Sequence, residues 1–188
     1  MYWIGSVFAF LIPVVIIGAV VYLIVHRRGE GNGFSAYHGL ITYFYFVISA
    51  SIITITIGIG LLLYVGFHQA YGGGSVDDIM VLGLTLAGTG AVICILHVFG
   101  KLAAEKKEIR GIGSIRRVYL FFMLAIYSMT GLVAVPLAIY AFAHYYVEGS
   151  RHWGDPSAPL ATAIVVVPLW IYYLMRVMRE TRATKEAS

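Results

Sequence analysis

The chain has 188 residues, 60% of them hydrophobic and 12% charged, with a formal net charge of +4 and a mean hydropathy of +0.86. Soluble domains carry about a quarter charged residues, so this composition excludes an ordinary soluble fold and describes a chain built to meet lipid. A pI near 9.2 would fit nucleic acid, but the basic residues gather on one side of the predicted spans, which reflects topology and anionic lipid instead. No nucleic-acid partner is expected.

A bilayer core of about 30 Å needs about 20 helical residues, and five runs qualify. The first, Trp3–Val25, has no positive segment before it and is followed by Arg27 and Arg28. It reads as a reverse signal-anchor rather than a cleavable leader. The second, Gly39–Phe67, contains SIITITIGIG (Ser51–Gly60), whose two-residue alternation and β-branched side chains resemble a strand. A lone strand in hydrocarbon leaves its backbone polar groups unpaired, so a helix is predicted there too.

The third run, Ile79–Phe99, carries Gly83, Ala87 and Ala91 at four-residue intervals, with Gly88 and Gly90 beside them. Small residues so spaced allow close helix packing in lipid. The single cysteine, Cys94, lies in this run and excludes an intrachain disulfide. KLAAEKKEIR (Lys101–Arg110) prolongs the third helix past the membrane, and GIGS (Gly111–Ser114) is predicted to break it. The fourth run is Val118–Ala143, interrupted by Pro136, and the fifth is Pro159–Met175, interrupted by Pro168. Pro13 interrupts the first.

Of the 13 basic residues, only Arg151 falls on the side that also holds Asp77, Asp78, Glu148 and Asp155. The positive-inside rule then places the N-terminus outside and the C-terminus in the cytoplasm. The expected fold is an all-α integral membrane bundle of five helices, in a bacterial or archaeal plasma membrane.

A shift of 76 residues lays the second run on the fourth: Tyr43 meets Tyr119, Phe46 Phe122, Thr54 Thr130, Leu61 Leu137, Tyr64 Tyr140 and His68 His144. One transmembrane domain, 1–188, thus divides into a leading helix and loop (1–35), a first hairpin (36–100), a basic loop (101–117) and a second hairpin with a basic tail (118–188). The hairpins would be parallel repeats. Tyr43 and Tyr64 stand about 31 Å apart along a helix, at opposite edges of the hydrocarbon. They, Tyr119, Tyr140 and Trp153 are the expected interface anchors.

The histidines allow a haem sketch, because membrane cytochromes hold haem b between histidines of neighbouring helices. His68 and His144 would form one pair, and His97 with His38 or His26 the other; His152 lies on the side of the first pair. Against it, His68 and His144 fall at the membrane edge, and the fifth run has no histidine to repeat the second pair. Histidine is also an ordinary interfacial residue. His68, His144, Asp77, Asp78 and Glu148 have no diagnostic metal-ligand spacing, so no metal site is expected. No phosphate loop or nucleophile–base set is placed together, and mid-span polar groups are hydroxyls such as Thr54, Thr56, Thr85, Ser128, Thr130 and Thr162. No enzyme is expected.

At RRVYLFFMLAIYSMTGLVAVPLAIYAF (Arg116–Phe142) and YFYFVISASIITITIGIGLLLY (Tyr43–Tyr64) the chain resembles bacterial polytopic membrane domains of unknown function built from tandem helix pairs. The resemblance spans about Ala36–Met178. It implies a four-helix unit in a bacterial inner membrane, to which the first run is an addition available to a partner. The function expected is that of a non-catalytic accessory or scaffolding subunit, in contact with the bilayer and with a protein partner or further copies of itself. A small channel or transporter, drawing on Gly60, Pro136 and Pro168, and a haem-bearing electron carrier are the alternatives.

Overall fold

The structure, a computed structural model, describes residues 36–105, 112–147 and 156–186. The predicted first span lies outside the described residues, as do His26, His152 and Trp153. Four α-helices account for most of the rest: α1 (Ala36–Ala70), α2 (Asp77–Glu105), α3 (Ile112–Val147) and α4 (Ser157–Glu186). All four are long and apolar enough to cross a membrane.

Each helix outruns its predicted span. The 35 residues of α1 reach about 52 Å at 1.5 Å per residue, well beyond the hydrocarbon. SIITITIGIG is helical throughout. Helix α3 begins at Ile112, so Gly113 and Ser114 form its first turn instead of the predicted break. The Arg117 Nε donates back to the Gly113 carbonyl at 3.3 Å, bracing that turn. Pro136 and Pro168 both lie inside continuous helices.

The ends carry local reasons. Helix α1 stops where Gly72 takes a left-handed φ of 82°, and the Gly73 N–H returns to the His68 carbonyl at 2.8 Å, a glycine-terminated helix cap. Asp77 and Asp78 open α2, their charges favourable at the positive end of the helix dipole. Pro156 precedes α4, where the Leu160 N–H bonds its carbonyl at 3.1 Å.

Helix α1 is the hub. It packs most extensively on α2 and also meets α4 and α3, while α3 and α4 pair with each other; α2 has no comparable face against α3 or α4. The α1–α2 seam runs antiparallel with a seven-residue beat. The Tyr37 hydroxyl donates to the Ala104 carbonyl at 2.7 Å, and the Phe44 ring meets His97 at 6.1 Å. Ser51 lies over Gly90, and Gly58 over Gly83. Positions rise by seven on α1 as they fall by seven on α2, the heptad geometry of a left-handed pair. At the middle of the seam the backbones nearly touch. A Cβ on Gly58 would stand 2.5 Å from the Ala87 nitrogen and 2.8 Å from the Gly83 oxygen.

The α3–α4 pair is filled with large side chains. Leu120, Met123, Tyr127, Val166, Tyr173 and Val177 form its buried core, with Ile52 and Ile53 of α1 packed against it.

Candidate functional site

Sequence position gathers the charges at one end of the bundle. Lys101 near the end of α2, Arg116 and Arg117 near the start of α3, and Arg176, Arg179 and Arg182 near the end of α4 form a basic end. Asp77 and Asp78 mark the other, acidic end. Between them the hydroxyls turn inward on their own helices. Ser49, Ser51, Thr54 and Thr56 on α1 each donate to the carbonyl four residues back. Thr85 and Thr89 on α2, Thr130 on α3 and Thr162 on α4 do the same.

A column of tyrosines crosses the basic half. The Tyr45 ring meets Tyr119 at 5.0 Å, and the hydroxyls of Tyr119 and Tyr173 lie 3.1 Å apart. Tyr173 stacks on Tyr127 at 5.6 Å with the rings nearly parallel. The column ends at Thr56, 2.8 Å from the Tyr127 hydroxyl. Thr56 has already given its only hydrogen to the Ile52 carbonyl, so Tyr127 is the donor. The column thus ties α1, α3 and α4 together through rings and hydroxyls at mid-bundle.

Cavities flank this column. Towards the acidic end, one of about 680 Å³ lies between α3 and α4, and one of about 390 Å³ lies between α1, α3 and α4. They share Thr130, Ala158 and Thr162, and the smaller ends on Tyr127. Towards the basic end, a cleft of about 670 Å³ is lined by all four helices, with Tyr45, Tyr119 and Tyr173 in its wall. Lys101 enters it, its Nζ 3.3 Å from the Tyr45 hydroxyl and 4.4 Å from the centre of that ring. Arg116 pairs with Glu180, and Arg176 lies 5.9 Å from the Tyr172 ring.

The residues singled out in the sequence distribute unevenly over this geometry. His68 stacks on Tyr64 at 5.5 Å, and its ring lies over Gly73, leaving no room there for a Cβ. His144 meets Tyr140 at the same 5.5 Å and lines the larger acidic-end cavity, whose wall does not include His68. Each histidine is thus engaged by the tyrosine one turn before it. His97 has both ring nitrogens in use. Nδ1 donates to the Ile93 carbonyl at 2.8 Å, which leaves Nε2 to accept from the Tyr43 hydroxyl at 3.3 Å. Among the described residues, no three His, Cys, Asp or Glu side chains form a group able to hold a metal ion.

Tyr43 and Tyr140 are exposed, Tyr64 is half-buried, and Tyr119 points its hydroxyl into the bundle. Gly83 and Ala87 face Gly58, but the next buried position is Gly90, lying on Ser51 and Ile55, and Ala91 is only half-buried. The sequence does not distinguish Tyr45, Tyr127 or Tyr173, and it marks Lys101 only as part of the basic segment. Tyr127 carried a signal, since a tyrosine in mid-span needs a hydrogen-bond partner. Tyr173 stands to Tyr119 as His97 stands to Tyr43, both pairs bonded and both displaced by the same 76 residues.

Comparison of the chain with protein-family models, with curated proteins and with solved structures gives no match.

Proposed function

We propose that this protein is a non-catalytic multi-pass subunit of a larger membrane assembly, and that α2 is the helix it offers to a partner's transmembrane helices. The one-sided packing of α2 carries this reading. Its Gly83, Ala87 and Gly90 face α1, while Thr85, Gly88, Thr89 and Val92 are exposed, and among the described residues a Cβ at Gly88 would meet nothing within 4 Å. Lipid tails are as apolar as leucine and require no notch. A neighbouring helix does gain from small residues and hydroxyls that let it approach.

The basic end lies in the cytoplasm of a bacterial or archaeal cell, by the positive-inside rule. The first run adds a fifth span. The two hairpins descend from one duplicated unit, supported by the equivalent contacts at Tyr43–His97 and Tyr119–Tyr173, and at Tyr64–His68 and Tyr140–His144. The test is purification of the full chain from native membranes in mild detergent, beside Gly88→Leu. A stoichiometric partner retained by the wild type and lost by Gly88→Leu is the expected result. Equal recovery with both, or a lone chain in both, overturns it.

A small channel or carrier is the second reading, favoured by the cavities on the two sides of the tyrosine column. In liposomes, solute flux that rises when Tyr127→Ala opens the column would promote it over the first.

A further inference from the structure

We infer that the basic-end cleft is a binding site for the phosphate headgroup of an anionic phospholipid. Among the described residues, three helices each contribute one cation to its lining, Lys101 from α2, Arg116 from α3 and Arg176 from α4, and none of those lining residues is a carboxylate. Glu180 offsets Arg116 from one turn further along α4, and the sum over these described side chains stays positive. Lys101, half-buried, folds back onto the Tyr45 hydroxyl and ring, and the exposed Arg116 and Arg176 stand at the mouth of the cleft.

The chemistry of the wall changes along the helices. Tyr119 and Tyr173 each lie three residues inward from Arg116 and Arg176, Val98 lies three inward from Lys101, and Cys94 and Ile52 lie seven inward from Lys101 and Tyr45. That order matches a phosphate, the glycerol ester region and the start of an acyl chain. A soluble phosphate would use only the rim and leave the aliphatic wall without an occupant. The cleft also lies on the side where α2 makes no extensive contact with α3 or α4, which gives a lipid lateral entry. Basic pockets between membrane helices commonly take such headgroups.

The experiment uses the full chain in detergent, with native mass spectrometry after addition of equimolar phosphatidylglycerol and phosphatidylcholine. The wild type is expected to retain phosphatidylglycerol selectively. Lys101→Gln with Arg176→Gln should lower that selectivity about thirtyfold, as two lost charges imply. Arg179→Gln with Arg182→Gln, on the same end but outside the cleft, should change it by less than about twofold, since exposed charges at this range are screened. Arg176→Lys, which keeps the charge, should stay near wild type and guards against a folding defect in the neutral pair.

Equal losses in the two neutral pairs would mean a diffuse surface field and overturn the site. So would unselective retention by the wild type. Inorganic phosphate at millimolar concentration displacing the lipid, and binding with the same dependence on Lys101 and Arg176, would assign the cleft to a soluble anion instead.

Discussion

The two hairpins use opposite means to hold a pair of helices together. In α1–α2 the backbones meet through Gly58, Gly83 and Gly90, and the seam leaves little room for side chains. In α3–α4 the core holds Tyr127, Val166 and Tyr173, the helices stand around those side chains, and cavities remain on either side. Lipid supplies no hydrophobic drive between helices, so each pair must be held by packing and hydrogen bonds. A glycine seam achieves this by backbone proximity and has no tolerance for added atoms. An aromatic core achieves it by filling space and keeps tolerance, at the expense of voids that ligands can enter.

The sharpest way to break this contrast is Gly58→Leu. Its first added atom would lie 2.5 Å from a backbone nitrogen, where no rotamer change gives relief. We expect loss of the folded hairpin, beyond the ~1–3 kcal/mol of ordinary overpacking, read as aggregation in detergent and loss of the monodisperse peak. Met123→Ala should follow. Met123 is fully buried in the α3–α4 core, but the lost transfer term is small in lipid, leaving a cavity cost of about 1–3 kcal/mol in thermal unfolding. If Met123→Ala proved more damaging than Gly58→Leu, the assignment of rigidity to the first hairpin would be reversed.

Tyr127→Phe removes one hydrogen bond, the 2.8 Å link to Thr56. Such bonds between membrane helices average about 0.6 kcal/mol, so a small fall in unfolding midpoint is expected with the column's stacking intact. Gly60→Ala should have the least effect and the opposite sign. Among the described residues nothing lies within 4 Å of its added Cβ, and alanine gains about 0.5–1 kcal/mol in a helix interior. A destabilised Gly60→Ala would mean that α1 flexes at this depth.

Much of the fold was legible in the sequence because hydrocarbon allows few backbone solutions. Uncharged runs of this length cross as helices even where Ser51–Gly60 alternates like a strand, and all four runs within the described residues are helical. Helix limits were less legible. Predicted spans stopped at the lipid edge, whereas helical hydrogen bonding carries α4 on to Glu186 and starts α3 at Ile112. The seam was found only in part. A four-residue row of Gly83, Ala87 and Ala91 drifts off a contact line that advances by 3.5 residues, so Gly90 takes the place expected of Ala91.

The basic cleft was not legible at all. Lys101, Arg116 and Arg176 are far apart in sequence and were counted only towards orientation. Their convergence depends on the ends of three helices meeting around α1, which no local pattern encodes. Tyr119, expected at the interface, turned inward for the same reason: its partner Tyr173 is on another helix.

Helix α2 meets the rest of the bundle along a line, not within a wedge of two neighbours. The close seam and the bonds from Tyr37, Tyr43 and Tyr45 of α1 to Ala104, His97 and Lys101 fix α2 to α1 as one unit. Lys101 of the basic cleft and the exposed Gly88 are carried on that same helix, about 20 Å apart along its axis. A substitution that displaces α2 from α1 would therefore disturb both places at once.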